Sequence, residues 1–140
     1  MNWKRLLLAV VAIFVAEFIM GLIFHRGILG ETYSLLMQDG TFRPESDMKA
    51  LSWVRIITTL VFCFFFVFIF VRGYESRGIL EGVRYGFYIA IFIGFVMAFN
   101  MFVWFSLPYW LTWAWVGIYI VEFIIIGIIT SLIYKPKPGA

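Results

Sequence analysis

The chain has 140 residues, of which 64% are hydrophobic and 14% charged, with a net charge of +3 and a mean hydropathy of +0.98. That balance excludes an ordinary water-soluble domain, which needs more polar surface. A single cysteine, Cys63, excludes an intramolecular disulfide and a cysteine-based metal site.

Four apolar runs, at about 4–25, 50–72, 82–107 and 109–134, are each near or above the roughly 20 residues a helix needs to cross about 30 Å of hydrocarbon. Their apolar character continues on every face, without the alternation of a transmembrane barrel strand. The expected fold class is therefore all-α, an integral membrane four-helix bundle forming a single domain over 1–140, with an outer loop at 26–49.

The first run begins with Met1-Asn2-Trp3-Lys4-Arg5 and Leu6 to Ala16, the pattern of a basic n-region and an apolar h-region. It continues past Glu17 to Phe24 without an A-x-A-like site, so it is expected to remain as a spanning helix. His25, the sole histidine, stands at its outer end beside Arg26. A haem held by two histidines of this chain is excluded; His25 is read as an interfacial histidine, with single-ligand cofactor binding as the rival use. No cofactor and no metal are predicted. In the loop, Gly30 to Gln38 has two readings, a short helix lying on the bilayer surface followed by a turn at Asp39-Gly40, or an ordered loop against a partner.

The second run carries Arg55, Thr58 and Thr59, and then the segment Val61 to Phe70, which holds much of the chain's complement of 17 phenylalanines. That segment is read as lipid-facing, and it would also suit a quinone or pigment tail. In the third run Gly82, Gly86, Ala90, Gly94 and Ala98 recur at every fourth position and open with GxxxG. Such a stripe lets a helix approach closely, where lipid supplies little hydrophobic drive for association. Packing against another helix of the same chain is the first expectation, and contact with a second chain the rival. Ser106-Leu107-Pro108 makes a tight corner before the fourth run, which carries Glu122 and Gly127. Val15-Ala16-Glu17-Phe18-Ile19 is similar to Ile120-Val121-Glu122-Phe123-Ile124, a short internal likeness between the first and fourth runs.

Lys4, Arg5, Arg72, Arg77, Arg84, Lys135 and Lys137 fall on one side, and only Arg26, Arg43 and Lys49 fall in the first loop. Basic residues in short loops resist translocation, so the N- and C-termini are expected to be cytoplasmic. Trp53, Trp104, Tyr109, Trp110, Trp113 and Trp115 should form the outer aromatic belt, with Trp3, Tyr74, Tyr85 and Tyr134 at the inner one. The basic residues lie at helix ends, which fits membrane anchoring and gives no nucleic-acid partner.

Ionisable residues inside spans are costly and normally partnered. At 1.5 Å per residue, Glu17 lies roughly 18 Å and Glu122 about 20 Å from the cytoplasmic end, with Arg55 and Asn100 at about 24 to 26 Å. All four runs thus contribute to one polar layer of Glu17, Arg55, Asn100 and Glu122. In one reading Arg55 pairs with Glu17 or Glu122 and the layer fixes helix register; in the other the two carboxyls share a proton or bind a cation.

HExxH, GxSxG, P-loop and dinucleotide fingerprints are absent from the sequence, and no enzyme activity is expected. The expected function is an accessory or structural subunit of a larger membrane complex, including an energy-transducing one. Its partners would be membrane lipids and other integral membrane subunits, or copies of itself. The alternative is a homo-oligomeric proton- or cation-coupled transporter or channel that uses Glu17 and Glu122. A chain this small would need to oligomerise to enclose a pathway.

Glu81-Gly82-Val83-Arg84-Tyr85-Gly86, with Leu107-Pro108 and then Trp113, Glu122, Gly127 and Tyr134, resembles the second half of uncharacterised small four-helix bacterial membrane proteins. The resemblance covers about half the chain. It implies the four-helix architecture and a bacterial cytoplasmic (inner) membrane, and it brings no activity or site residue with it.

Overall fold

Length and composition set the elements. The computed structural model describes residues 1–136, so Lys137, named among the basic residues above, lies outside the described residues. Four helices in it are long and apolar enough to cross a membrane: α1 Trp3–Ile28, α4 Ser52–Arg72, α5 Ile79–Trp104 and α6 Tyr109–Ile133. Two short helices, α2 Gly30–Gln38 and α3 Glu45–Ala50, lie in the loop after α1. Among the described residues there is no strand. The chain is all-helical; α1 runs on to Ile28, three residues past its expected end, and α5 begins and ends three residues earlier than expected.

The ends of the helices follow from local chemistry. Asn2 caps α1 by accepting the Arg5 N–H at 3.3 Å. Pro108 precedes the first residue of α6, where its missing N–H is not needed. Gly78 enters α5 at φ +70°, a conformation that a side chain resists. Glu81 then folds back over this turn: its carboxylate accepts the Glu75 N–H at 2.6 Å and the Arg77 N–H at 2.9 Å, and the residue is 4% exposed. Glu75 ties the same turn from outside, taking Arg84 Nη2 at 2.8 Å and Arg77 Nε at 3.0 Å. The hydrogen bond from Arg84, with the Arg77 charge, holds the Glu75 carboxyl below the usual carboxylate range.

Helix α6 is the centre of the packing, with α5 along one side and α1 along another. The five-residue stripe is what brings α5 in. A Cβ at Gly82 would overlap the Gly127 carbonyl, and one at Gly86 would overlap the Phe123 carbonyl. At Gly94 it would come within 2.5 Å of the Tyr119 Cβ. Ala90 and Ala98 complete the line and are fully buried. The stripe is thus consumed inside the chain, and it is not a surface on which another protein can dock.

Helix α4 packs on α1, and it reaches α5 and α6 through aromatic rings rather than backbone. Phe62 stacks on Phe123 at 5.1 Å, Phe66 meets Tyr85 edge-on at 4.8 Å, and Tyr85 Oη donates to the Phe66 carbonyl at 2.7 Å. Phe66 and Phe70 are buried while Phe65 is exposed, so the Phe-rich segment is amphifacial and not wholly lipid-facing. Rings fill the wider gap that α4 keeps from its neighbours.

Two apolar clusters result. One lies toward the termini and joins Leu6, Ile13, Cys63, Val67, Ile126 and their neighbours. The other lies beneath the first loop and joins Leu29 and Leu36 to Leu107, Leu111 and Ile118. The N- and C-terminal segments meet at one end of the bundle, where Asn2 Nδ2 donates to the Lys135 carbonyl at 3.2 Å. We call this the terminal end, and the end covered by α2 the capped end. Tyr134 is buried and Tyr85 is turned inward, so neither sits in an interfacial belt, whereas Trp3 is exposed as expected there.

Candidate functional site

Within the spans, two carboxyls enter the bundle at one level, beside Met20 and Phe123 of the larger cluster. Glu17 comes from α1 and Glu122 from α6, helices that pack on each other, and the two carboxyls lie within electrostatic range. Glu122 is 3% exposed. Glu17 is half-buried, and its Oε1 is enclosed without any hydrogen-bond partner. Tyr119, one turn before Glu122, lies within range of both carboxyls, and the Cys63 thiol lies within range of Glu17.

Arg55 reaches this stratum without closing it. Among the described residues it makes no ion pair with either carboxyl; every ion pair found is at Lys49–Glu45, Arg77–Glu75 or Arg84–Glu75. One guanidinium nitrogen instead lies against Gly21, 3.2 Å from where a Cβ would stand, one turn beyond Glu17. The glycine makes room for the Arg55 head. The expected pairing of Arg55 with Glu17 or Glu122 is therefore corrected: the charges are neighbours, not partners.

Asn100 does not belong to the layer. It is exposed, and its Nδ2 donates to the Val96 carbonyl one turn back at 2.8 Å. Depth along the helix put it level with Arg55, but its direction around α5 turns it outward. Thr58 likewise satisfies itself on the Val54 and Arg55 carbonyls, each at 3.0 Å. Both are polar side chains returning to their own helix, as expected where lipid offers no partner.

The capped end joins His25 and Trp115 through Tyr33, an arrangement that was not expected. His25 Nδ1 and Tyr33 Oη are 2.7 Å apart, and Trp115 Nε1 donates to the same Tyr33 oxygen at 2.7 Å. An indole N–H only donates, so the Tyr33 oxygen accepts from Trp115, while the direction of its bond with His25 Nδ1 follows the His25 tautomer. His25 and Tyr33 stack at 5.8 Å, and Phe42 stacks on Trp115 at 6.4 Å. Trp115 thus serves the inside of the cap rather than the outer belt; Trp53, Trp104, Trp110 and Trp113 remain exposed. Burial pushes the Tyr33 phenol up to about 12, and it lies within range of Tyr119 and Glu122.

The backbone carries a further mark of this region. The last part of α1, Leu22–Ile28, and the middle of α5, Ala90–Phe95, are wound as wider π-helical turns. The spans were expected to be unbroken; they are continuous but locally overwidened, and the α1 stretch begins five residues beyond Glu17 and contains His25. Such turns recur at functional sites.

Among the described residues no group of three or more His, Cys, Asp or Glu side chains could hold a metal ion. His25 Nδ1 is already engaged by Tyr33, which leaves only Nε2 for any ligand. Two shallow depressions lie elsewhere, one under Ser34, Met37 and Glu45, the other between Arg72, Tyr74 and Tyr134. Comparison with protein families, with curated proteins and with solved structures gives no match to this chain.

Proposed function

We propose that the protein is an integral membrane protein whose working centre is the Glu17–Glu122 pair, which takes up and releases a proton or a small cation within a homo-oligomeric carrier or channel. The observation that carries the reading is the enclosed Glu17 oxygen without a partner, beside a Glu122 that is 3% exposed and near an Arg55 that pairs with neither. A lone carboxylate is costly in hydrocarbon, so each acid either keeps its proton or meets a cation. An architectural register pin would have joined Arg55 to a carboxyl and satisfied every oxygen. Here the groups are close enough to interact, and neither carboxyl is held in an ion pair.

In this reading the termini and the Gly73–Gly78 turn face the cytoplasm of a bacterial inner membrane, because most of the basic residues gather there. The capped end then faces outward. The test is reconstitution in vesicles under a pH gradient, comparing the protein with Glu17→Gln and Glu122→Gln. Either change should abolish pH-dependent proton or cation flux while leaving assembly intact. Flux unchanged in both variants would sink the reading.

A second reading rests on a separate observation. From Ser52 to Thr58 every residue of α4, Arg55 included, is exposed, so the capped-end half of this helix has few neighbours in its own chain. That face favours an accessory subunit packed by α4 into a larger membrane complex. Purification of the native protein in a gentle detergent separates the two. Larger membrane subunits at fixed stoichiometry support the subunit, and a self-contained oligomer supports the carrier.

A further inference from the structure

This inference rests on the Glu17–Glu122 reading but is tested without it. The carboxyls can exchange with water only along a hydrated route, and the surroundings close most directions. Toward the terminal end the large apolar cluster, with Leu6, Ile13, Val67 and Ile126 fully buried, blocks passage. Sideways, the exposed half of α4 is covered by lipid, which excludes ions, or by an adjoining subunit. The remaining direction is the capped end, closed by the smaller cluster of Leu29, Leu107, Leu111 and Ile118, to which α2 contributes Leu36.

What holds α2 down is narrow. Its apolar contribution is chiefly Leu36, buried against Leu29, Leu107 and Leu111. Its polar contribution to the spans is Tyr33 alone, whose one hydroxyl joins His25 of α1 and Trp115 of α6. A nine-residue helix has little stability of its own, so its position depends on these contacts. Tyr33 also lies within electrostatic range of Glu122, one member of the acid pair.

We propose that α2 is a lid over the acid pair, latched by the Tyr33 hydroxyl between His25 and Trp115, and that release of this latch admits water and ions to Glu17 and Glu122 from the capped end. Three charged or titratable groups lie within electrostatic range of the latch: Arg55 from α4, felt at His25, and Tyr119 and Glu122 from α6, felt at Tyr33. The lid is therefore placed where a change of charge in the layer is felt.

Cys63 supplies the readout, since it is the only cysteine, is fully buried and lies within range of Glu17. Tyr33→Phe keeps the ring and removes both hydrogen bonds. In detergent-solubilised full-length protein, labelling of Cys63 by a charged, water-soluble thiol reagent should quicken at least about tenfold, the effect of losing one or two buried hydrogen bonds on a local opening. Trp115→Phe, which leaves the Tyr33–His25 bond, should give a smaller rise. Amide exchange should quicken across Glu31 to Gln38 and stay slow across Ile120 to Thr130. Unchanged labelling in Tyr33→Phe would overturn the lid, and so would equal acceleration of exchange in α6, which would make Tyr33 a support of the whole fold. The same series in a Glu17→Gln background should give the same rise, so the lid stands or falls apart from the role of the acids.

Discussion

Gly82 and Gly127 are mutually dependent: a Cβ on either would overlap the carbonyl of the other. One belongs to a stripe of five small residues on α5, the other is a single glycine six residues from the end of α6, and together they allow the two backbones to touch. In lipid, where apolar burial between helices gains little, this closeness lets dispersion and backbone dipoles hold the pair.

Enlarging the stripe should therefore be costly at some positions and free at others. Gly86→Leu meets the Phe123 carbonyl and the Ile124 Cα and should destabilise by at least about 3 kcal/mol, the upper end of overpacking costs. Gly117→Ala, on α6 but with nothing within 4 Å of its would-be Cβ, should be neutral or stabilise by about 0.5–1 kcal/mol. Thermal unfolding in a mild detergent, followed by circular dichroism, ranks the two. Equal tolerance would mean that α5 and α6 do not pack through this stripe.

Glu81 should behave as a structural acid rather than a functional one. Its carboxylate satisfies the Glu75 and Arg77 amides in a turn that also needs Gly78 at positive φ. Glu81→Ala leaves both amides without that acceptor and should cost about 2–3 kcal/mol, the value of charged hydrogen bonds. Glu81→Gln, which keeps one acceptor oxygen, should recover part of this. The loss should appear as faster amide exchange in the turn, with flux through the vesicle membrane unaltered once the protein is folded.

How much of this was legible in the sequence depends on which coordinate was being asked for. Span number and depth follow from length and hydropathy, so Glu17 and Glu122 could be set at one level from residue counts alone. Direction around the helix does not follow when every face is apolar, and for that reason Asn100 was placed in a layer it turns away from. The same blindness assigned Trp115 to the outer belt: belt statistics give height, while its indole nitrogen points inward to Tyr33. The period of four exposed the α5 stripe, but its partner, Gly127, is a single glycine with no pattern around it. Glu81 had a readable signal in retrospect, an acid in the first turn of a helix after a glycine turn. The overwide turns in α1 and α5 had none, since no composition marks them.

Tyr33 should keep its proton far into alkali. Burial raises its phenol from the ordinary 10.0 to about 12. For a group whose folded value lies above its unfolded one, the stabilisation is complete below the unfolded value and is lost as pH rises through the folded one. Stability should thus decline between about pH 10 and 12 in the protein, and less so in Tyr33→Phe, beyond what the other tyrosines contribute. Phenolate absorbance measured as a difference between the two proteins gives the titration directly. A Tyr33 component titrating near 10 would mean that the hydroxyl is not enclosed between His25 and Trp115.

Glu17 offers the opposite case, a residue whose removal should help the fold. An enclosed carboxyl oxygen without a partner carries a desolvation cost of about 1–3 kcal/mol that no contact in the chain returns. Glu17→Leu should therefore be neutral or more stable, with Met20 and Phe14 able to close over the smaller polar demand, whereas Leu at a pinned architectural acid would unfold the layer. If the acid is retained for its chemistry, stability and function should separate: the Leu variant melts no lower than the parent yet loses pH-dependent flux. A variant that melts much lower would show that Glu17 has a structural partner in the membrane, such as Arg55 or a second copy, and would return the layer to a role in assembly.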